Sequence, residues 1–287
     1  MACDRRQIIK DIAACPDCHS ALLWTNEDAT CVHCRAEFFS KNEIPNFSGY
    51  DRDKEATQSF LFQSEQMFNN TLTAKLYNFG KKIISSEYMP KDHVKEFIRR
   101  AAEGTVIVEL GSGNRRLRED VINIDLFPFP NVDLTANIMK TPLRDHSVDF
   151  VVLDTVLEHV PEPERVVKEL FRILKPAGKA ICIAPFIFPY HGYPKHYFNY
   201  SKDGLEFLFK NFTECKVEMN TGPGSGFVNL LSEYFAVAMA GENNFLYTFF
   251  KGLGLLPIFF LKYLDQFWNA SGRVTRISSI LSAFLTK

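Results

Sequence analysis

The chain has 287 residues, 46% of them apolar and 23% charged, and a formal net charge of −1. That length holds one medium domain plus something small, and the composition is that of a folded protein rather than a disordered one. Near-neutral charge excludes an overall basic nucleic-acid footprint, though not a local basic patch.

The opening stretch MACDRRQIIKDIAACPDC carries charges close behind Met1 and no uninterrupted apolar run, so it does not read as a signal peptide. Four of the seven cysteines form two CxxC pairs, while Cys3, Cys182 and Cys215 are scattered. An odd count without a regular framework points to a reducing compartment, and the cytoplasm is the expected location.

Residues 1–50 are expected to form a zinc ribbon. CPDC (Cys15, Cys18) and CVHC (Cys31, Cys34) lie twelve residues apart, and two such turns can present four thiolates tetrahedrally to one ion. All four positions would be protein sulfurs, leaving no open place for water or substrate, so the expected Zn2+ is structural. His19 and His33 are spare ligands nearby. The stretch CPDCHSALLW…CVHCRAEFFSKNEIPNF resembles the small zinc-ribbon domains that precede or activate methyltransferases.

Residues 51–104 read as a helical linker, with amphipathic patterning in FLFQSEQMFNN (60–70) and in HVKEFIRRAAEG, which ends on Gly104. An α/β core over 105–226 follows. TVIVEL, VINID, VDFVVLD, GKAICIAPF and TECKVEMN are five expected strands. The run PEPERVVKELFRILKPAG reads as a helix with Pro near its start and Gly178 past its end, and SKDGLEFLFKNF as a helix capped by Ser201. Short apolar strands alternating with helices imply a parallel sheet covered on both faces.

VIVELGSGN carries the central signal: a buried strand, then Gly111 and Gly113 where the chain turns sharply beside a ligand. In open α/β sheets ligands bind beyond the carboxyl ends of strands, where this loop falls. Asp125 ends the next strand twelve residues beyond Gly113 and can accept both hydroxyls of a ribose. That spacing leaves no room for the full helix of a dinucleotide fold, and the third glycine of that fingerprint is missing, so NAD is disfavoured.

The stretch 105–212 resembles class I methyltransferases of the broad type 11 group, through ELGSG, Asp125, the phrase DLTANIMKTPLRDHSVDFVVLDTVLEHV and the helix ending LKPAGK. The resemblance implies a Rossmann-like sheet and S-adenosylmethionine as cofactor. It further implies that Glu109, Gly111, Ser112 and Gly113 hold the amino-acid end, and that Asp125 binds the ribose with Leu126 stacked on adenine. Asn137 and Ile138 would meet the adenine edge, with Asp154 and Thr155 on the methionine side. Asn137 departs from the usual Asp, but its amide oxygen can still accept from an amino group. The helix after the glycine loop is also shorter than usual.

The segment FPYHGYPKHYFNYS (188–201), dense in His and Tyr, resembles a loop of methyltransferases acting on bacterial surface glycans and related small acceptors. His191 is the first candidate for a base or substrate-orienting group, with His196 and Tyr190 behind it and His159 competing at the cleft edge. Loop packing is the alternative for each of these histidines. Residues 227–287 read as an apolar helical appendage, where Lys251, two glycines and Pro257 interrupt the longest run. Short apolar helices over 227–268 could lie at a membrane surface, at its inner face, or cover the sheet or a homodimer interface.

The expected function is methyl transfer, to oxygen, on a small-molecule, glycan or lipid-linked acceptor. RNA methylation is the alternative enzyme. Against it stand the neutral charge and the lack of an NPPY-like motif after VDFVVLD. A non-catalytic cofactor-binding scaffold is the third reading.

Overall fold

A computed structural model describes residues 5–48, 85–192, 195–268 and 272–287. The expected helix over 60–70, and most of the linker assigned to 51–104, lie outside the described residues.

The β-branched runs of the middle chain form β4 (Ile107–Leu110), β5 (Val121–Asp125), a two-residue β6 (Leu134–Thr135), β7 (Val148–Asp154) and β8 (Leu174–Pro185). Every residue of β4 and β5 is buried, as a strand covered on both faces requires. Alternation divides their side chains between two cores. Ile107, Val121, Val152 and Ile181 pack with Val94, Phe97 and Ile98 of α2 (His93–Arg99) on one face. Val108, Leu110, Ile122 and Ile124 share the other with Val166 and Leu170 of α3 (Pro163–Ile173). Asp92 caps α2 by accepting from Lys95 N–H, and Ser201 caps α4 (Lys202–Leu208) by accepting from Gly204 N–H.

With β9 (Glu214–Thr221) and β10 (Ile280–Thr286), the sheet has seven strands in the order β6-β5-β4-β7-β8-β10-β9. Pairings from β6 to β8 are parallel, whereas β10 runs antiparallel to both neighbours. Two expectations need correction here. The core does not end at 226, and 227–287 is not helical throughout, because ILSAFLT inserts between β8 and β9 as a strand. A short apolar run with no strict alternation does not distinguish strand from buried helix, so the sequence pattern missed it. The two-residue β6 is too brief to leave a pattern at all.

Among the described residues of 223–276 stand α5 (Pro223–Ala240), α6 (Asn244–Leu255) and 3₁₀ turns over Phe259–Phe267 and Gly272–Arg276. Buried Asp265 fixes this unit by accepting from Gly224 N–H at 2.7 Å, Ser225 N–H at 3.0 Å and Ser225 Oγ at 2.6 Å, which caps α5. Lys251 of α6 pairs with Glu233 of α5 at 2.7 Å.

At the N-terminus, α1 (Arg5–Ile12) precedes a three-stranded antiparallel sheet of β1 (Leu22–Thr25), β2 (Asp28–Cys31) and β3 (Glu37–Phe38). This unit is bonded to the large sheet rather than tethered to it. Phe47 N–H donates to Thr135 O at 2.8 Å, and Arg144 N–H to Ile12 O at 2.8 Å.

Candidate functional site

Beyond the carboxyl ends of β4, β5 and β7 lies a cleft of about 370 Å³. Its lining includes seven of the ten residues expected to hold the cofactor: Gly111, Gly113, Asp125, Leu126, Asn137, Ile138 and Thr155.

The glycine loop is shaped by backbone angles that side chains resist. Gly111 has φ of +75°, and a Cβ there would meet Val156 Cγ2 at 2.6 Å. Gly113 has φ of +57° with nothing within 4 Å of a Cβ position. Only glycine fits the first place, while the second asks for a left-handed residue beside open space. Asp125 locks the loop, since its Oδ2 accepts from Gly113 N–H at 2.8 Å and its Oδ1 from Phe127 N–H at 2.9 Å. Burial pushes the Asp125 carboxyl above the ordinary range, and these backbone donors partly offset it.

Thr155, directly after β7, has φ of +56°, a strained conformation for a β-branched residue, at the cleft wall. Asn137 Oδ1 accepts from Met139 N–H at 2.9 Å, so the amide oxygen expected to face a ligand already holds a local turn.

Glu109, Ser112 and Asp154 are not on the cleft lining. Arg115, which sequence reasoning missed, joins two of them. Its Nε donates to Glu109 Oε1 at 2.8 Å and its Nη1 to Asp154 Oδ2 at 2.7 Å. Burial raises the Glu109 pKa even against this guanidinium. Glu109 is fully buried, and its second oxygen has no hydrogen-bond partner among the described residues. NRRLRED places cations after the glycine loop, but nothing in it shows which one meets Glu109 and Asp154. Phe127, Phe129 and Met139 also line the cleft without having been anticipated.

The three candidate histidines come together at one end of the cleft. His159 lines it, and its ring centroid is 5.2 Å from that of His191 and 6.0 Å from that of His196. The loop after β8 is folded onto the 3₁₀ turn Leu157–His159: Tyr197 N–H donates to Glu158 O at 2.7 Å, and Tyr200 Oη to Leu157 O at 3.2 Å. Tyr193 and Pro194 of this loop lie outside the described residues. Both ring nitrogens of His196 are engaged within the loop. Its Nδ1 accepts from His191 N–H at 3.3 Å, and its Nε2 bonds Asn199 Oδ1 at 2.8 Å. His196 thus ties the His191 backbone to the Asn199 side chain. Tyr190 is exposed, its ring stacked on His196.

Separately, the four cysteine sulfurs of the N-terminal unit lie within 4.8 Å of one another. Cys15 and Cys34 are 3.6 Å apart and Cys18 and Cys31 3.4 Å, much longer than a disulfide bond.

Residues 109–182, from β4 into β8, match a family model described as a methyltransferase domain. Over 85 residues the chain is 35% identical to demethylmenaquinone methyltransferase of Bacillus velezensis, covering 30% of this chain and 36% of that protein. The chain thus spans about a third of the length of this curated relative. Among solved structures, phosphoethanolamine N-methyltransferase 2 of Haemonchus contortus with S-adenosyl-L-methionine is similar at TM-score 0.48 and 13% identity, over 82% of this chain and 59% of that one. A SAM-dependent methyltransferase of Thermotoga maritima is similar at TM-score 0.44 and 18% identity, over 74% of this chain and 95% of that one. The strand order makes this an α/β Rossmann-like fold with a mostly parallel seven-stranded sheet, and its stretch 109–182 is similar to a methyltransferase domain.

Proposed function

We propose that the protein is an S-adenosylmethionine-dependent methyltransferase acting on a small-molecule, glycan or lipid-linked acceptor. The observation that carries this reading is the cleft where a glycine loop at positive φ meets the buried carboxylate of Asp125.

The residues present fit the cofactor. A Cβ at Gly111 would collide with Val156, so the backbone there can approach a ligand closely only as glycine. Asp125 would accept from the ribose hydroxyls, with Leu126 against the base. Glu109 lies off the cleft lining behind Arg115, so its unpartnered oxygen would meet a cofactor ammonium once Arg115 withdraws. Bound S-adenosylmethionine supplies a methyl group on a sulfonium, ready for in-line displacement. The chain's own contribution is to align an acceptor, which supplies much of the rate of such a reaction. His159 and His191 stand beside the cleft where acceptor groups would be oriented, and an oxygen acceptor suits them best.

Cys15, Cys18, Cys31 and Cys34 would hold a structural zinc ion. Four sulfurs at about 2.3 Å from one ion lie roughly 3.8 Å apart, close to the spacing of these pairs. With α1, this ribbon would brace the edge of the sheet near β6.

The apolar unit supports a lipid-linked acceptor. Phe245, Phe249, Phe260 and Phe267 are each more than half exposed. Among the described residues no single helix is long and apolar enough to cross a membrane, but Asn244–Leu255 and Phe259–Phe267 form an apolar pair bent by 51°. Such a pair suits the headgroup region of a bilayer.

Incubation with methyl-labelled S-adenosylmethionine and cell lysate tests the function. Label is expected in the lipid or glycan fraction; label confined to RNA would overturn the acceptor assignment, and no label anywhere would favour a scaffold.

A further inference from the structure

The Glu158 carboxylate is fully buried, and neither of its oxygens has a hydrogen-bond partner among the described residues. Its neighbours are two imidazoles. His191 Nε2 lies 3.6 Å from Oε1 and His159 Nε2 lies 3.8 Å from it, both too far for a hydrogen bond.

The opposite ring nitrogens settle where the protons sit. His159 Nδ1 is 2.6 Å from Lys195 O, and His191 Nδ1 is 3.2 Å from Pro189 O. A carbonyl only accepts, so each Nδ1 carries the hydrogen, and in the neutral ring each Nε2 presents a lone pair. Two imidazole lone pairs and a buried carboxylate therefore converge, with all ligand atoms within 4.8 Å of one another. Three acceptors facing each other without a donor repel one another, and a cation between them removes the conflict. A proton on His191 is the competing occupant: burial opposes the imidazolium, but the adjacent Glu158 carboxylate more than offsets this, and metal counting decides between proton and metal.

We propose that Glu158, His159 and His191 form a divalent transition-metal site at the rim of the cofactor cleft. Two nitrogens and one oxygen suit zinc, iron(II) or manganese(II) rather than calcium or magnesium. The backbone carbonyls on the two Nδ1 atoms are the outer partners that fix metal-binding histidines in the right tautomer. Ligand atoms about 2.0–2.2 Å from one ion lie roughly 3.0–3.5 Å apart, so the rings, now 3.6 and 3.8 Å from Oε1, draw inward when a metal binds. His196 supports it from behind through the His191 backbone. Three protein ligands leave a coordination position open, unlike the closed cysteine cluster. Because His159 also lines the cleft, that position adjoins the acceptor. That an acceptor oxygen fills it rests on the methyl-transfer reading; the metal site itself does not.

The test is metal counting on the full-length chain, stripped with chelator, reloaded with zinc and desalted. Wild type is expected to retain one zinc per chain more than His191→Ala and one more than Glu158→Gln. Glu158→Gln keeps the side-chain shape, so it remains informative if the alanine variant misfolds. Cobalt should report the same site without sulfur-to-metal charge transfer, separating it from the cysteine cluster. Equal zinc in wild type and both variants would overturn the proposal. Calorimetry with S-adenosylmethionine on the same samples separates the two claims: zinc retention without cofactor binding supports the metal site and removes only its role beside a methyl donor.

Discussion

At the scale of single residues, the cleft depends on two glycines that are not equivalent. Gly111→Ala meets both a positive φ and the Val156 side chain, so a loss of roughly 2–5 kcal/mol is expected. Gly113→Ala meets only the backbone cost, about 1–2 kcal/mol. Thermal unfolding of the two variants checks the order, and a milder Gly111→Ala would contradict it. These positions were legible because a left-handed turn beside a strand end restricts residue type, and so was Asp125 at the end of the neighbouring strand. Arg115 was not. Its bond to Asp154 spans 39 residues and exists only because β4 and β7 are adjacent in the sheet. Glu158 was overlooked beside His159 because nothing in LEHV says that its carboxylate is buried.

At the scale of elements, α3 is fastened through Glu169. Its carboxylate accepts from Thr141 N–H at 2.8 Å, from Thr141 Oγ1 at 2.7 Å and from Arg172 Nη2 at 2.8 Å. Burial pushes its pKa up, but Arg172 and Thr141 more than offset this and leave it lowered. A carboxyl with a lowered folded pKa contributes stability that is present above its unfolded value, near 4.3, and lost as pH falls through the folded value. Glu169→Gln should therefore cost about 1–2 kcal/mol at neutral pH, with the gap to wild type closing below about pH 4. Denaturant unfolding across that range measures it, and a gap independent of pH would contradict the assignment. The same scale shows where periodicity failed. Five of the seven strands were legible as apolar runs between turn signals. β10 was not, because its place is set by the gap between β8 and β9 rather than by its own pattern.

At the scale of the whole molecule, the chain's last strand closes the sheet after the apolar helices have left it and returned. A deletion from 227 onward would remove β10 along with the helices, so the membrane reading is better tested by substitution. Phe245→Glu with Phe249→Glu puts charge on exposed positions and leaves the core untouched. Flotation with anionic vesicles should show wild type bound and the double variant weaker by on the order of tenfold or more; equal flotation would contradict a role for this face. The N-terminal three-stranded sheet, α1 and the β6 edge form one bonded surface, so cysteine pairs read as a local motif turn out to be part of the body that holds the cleft. The most direct measurement is calorimetry of S-adenosylmethionine binding to the full-length chain and to Asp125→Ala. The wild type should bind, and the variant should bind roughly ten- to a hundredfold more weakly while keeping its fold. A folded wild type that does not bind, or a variant that binds equally well, would contradict the assignment of the cleft.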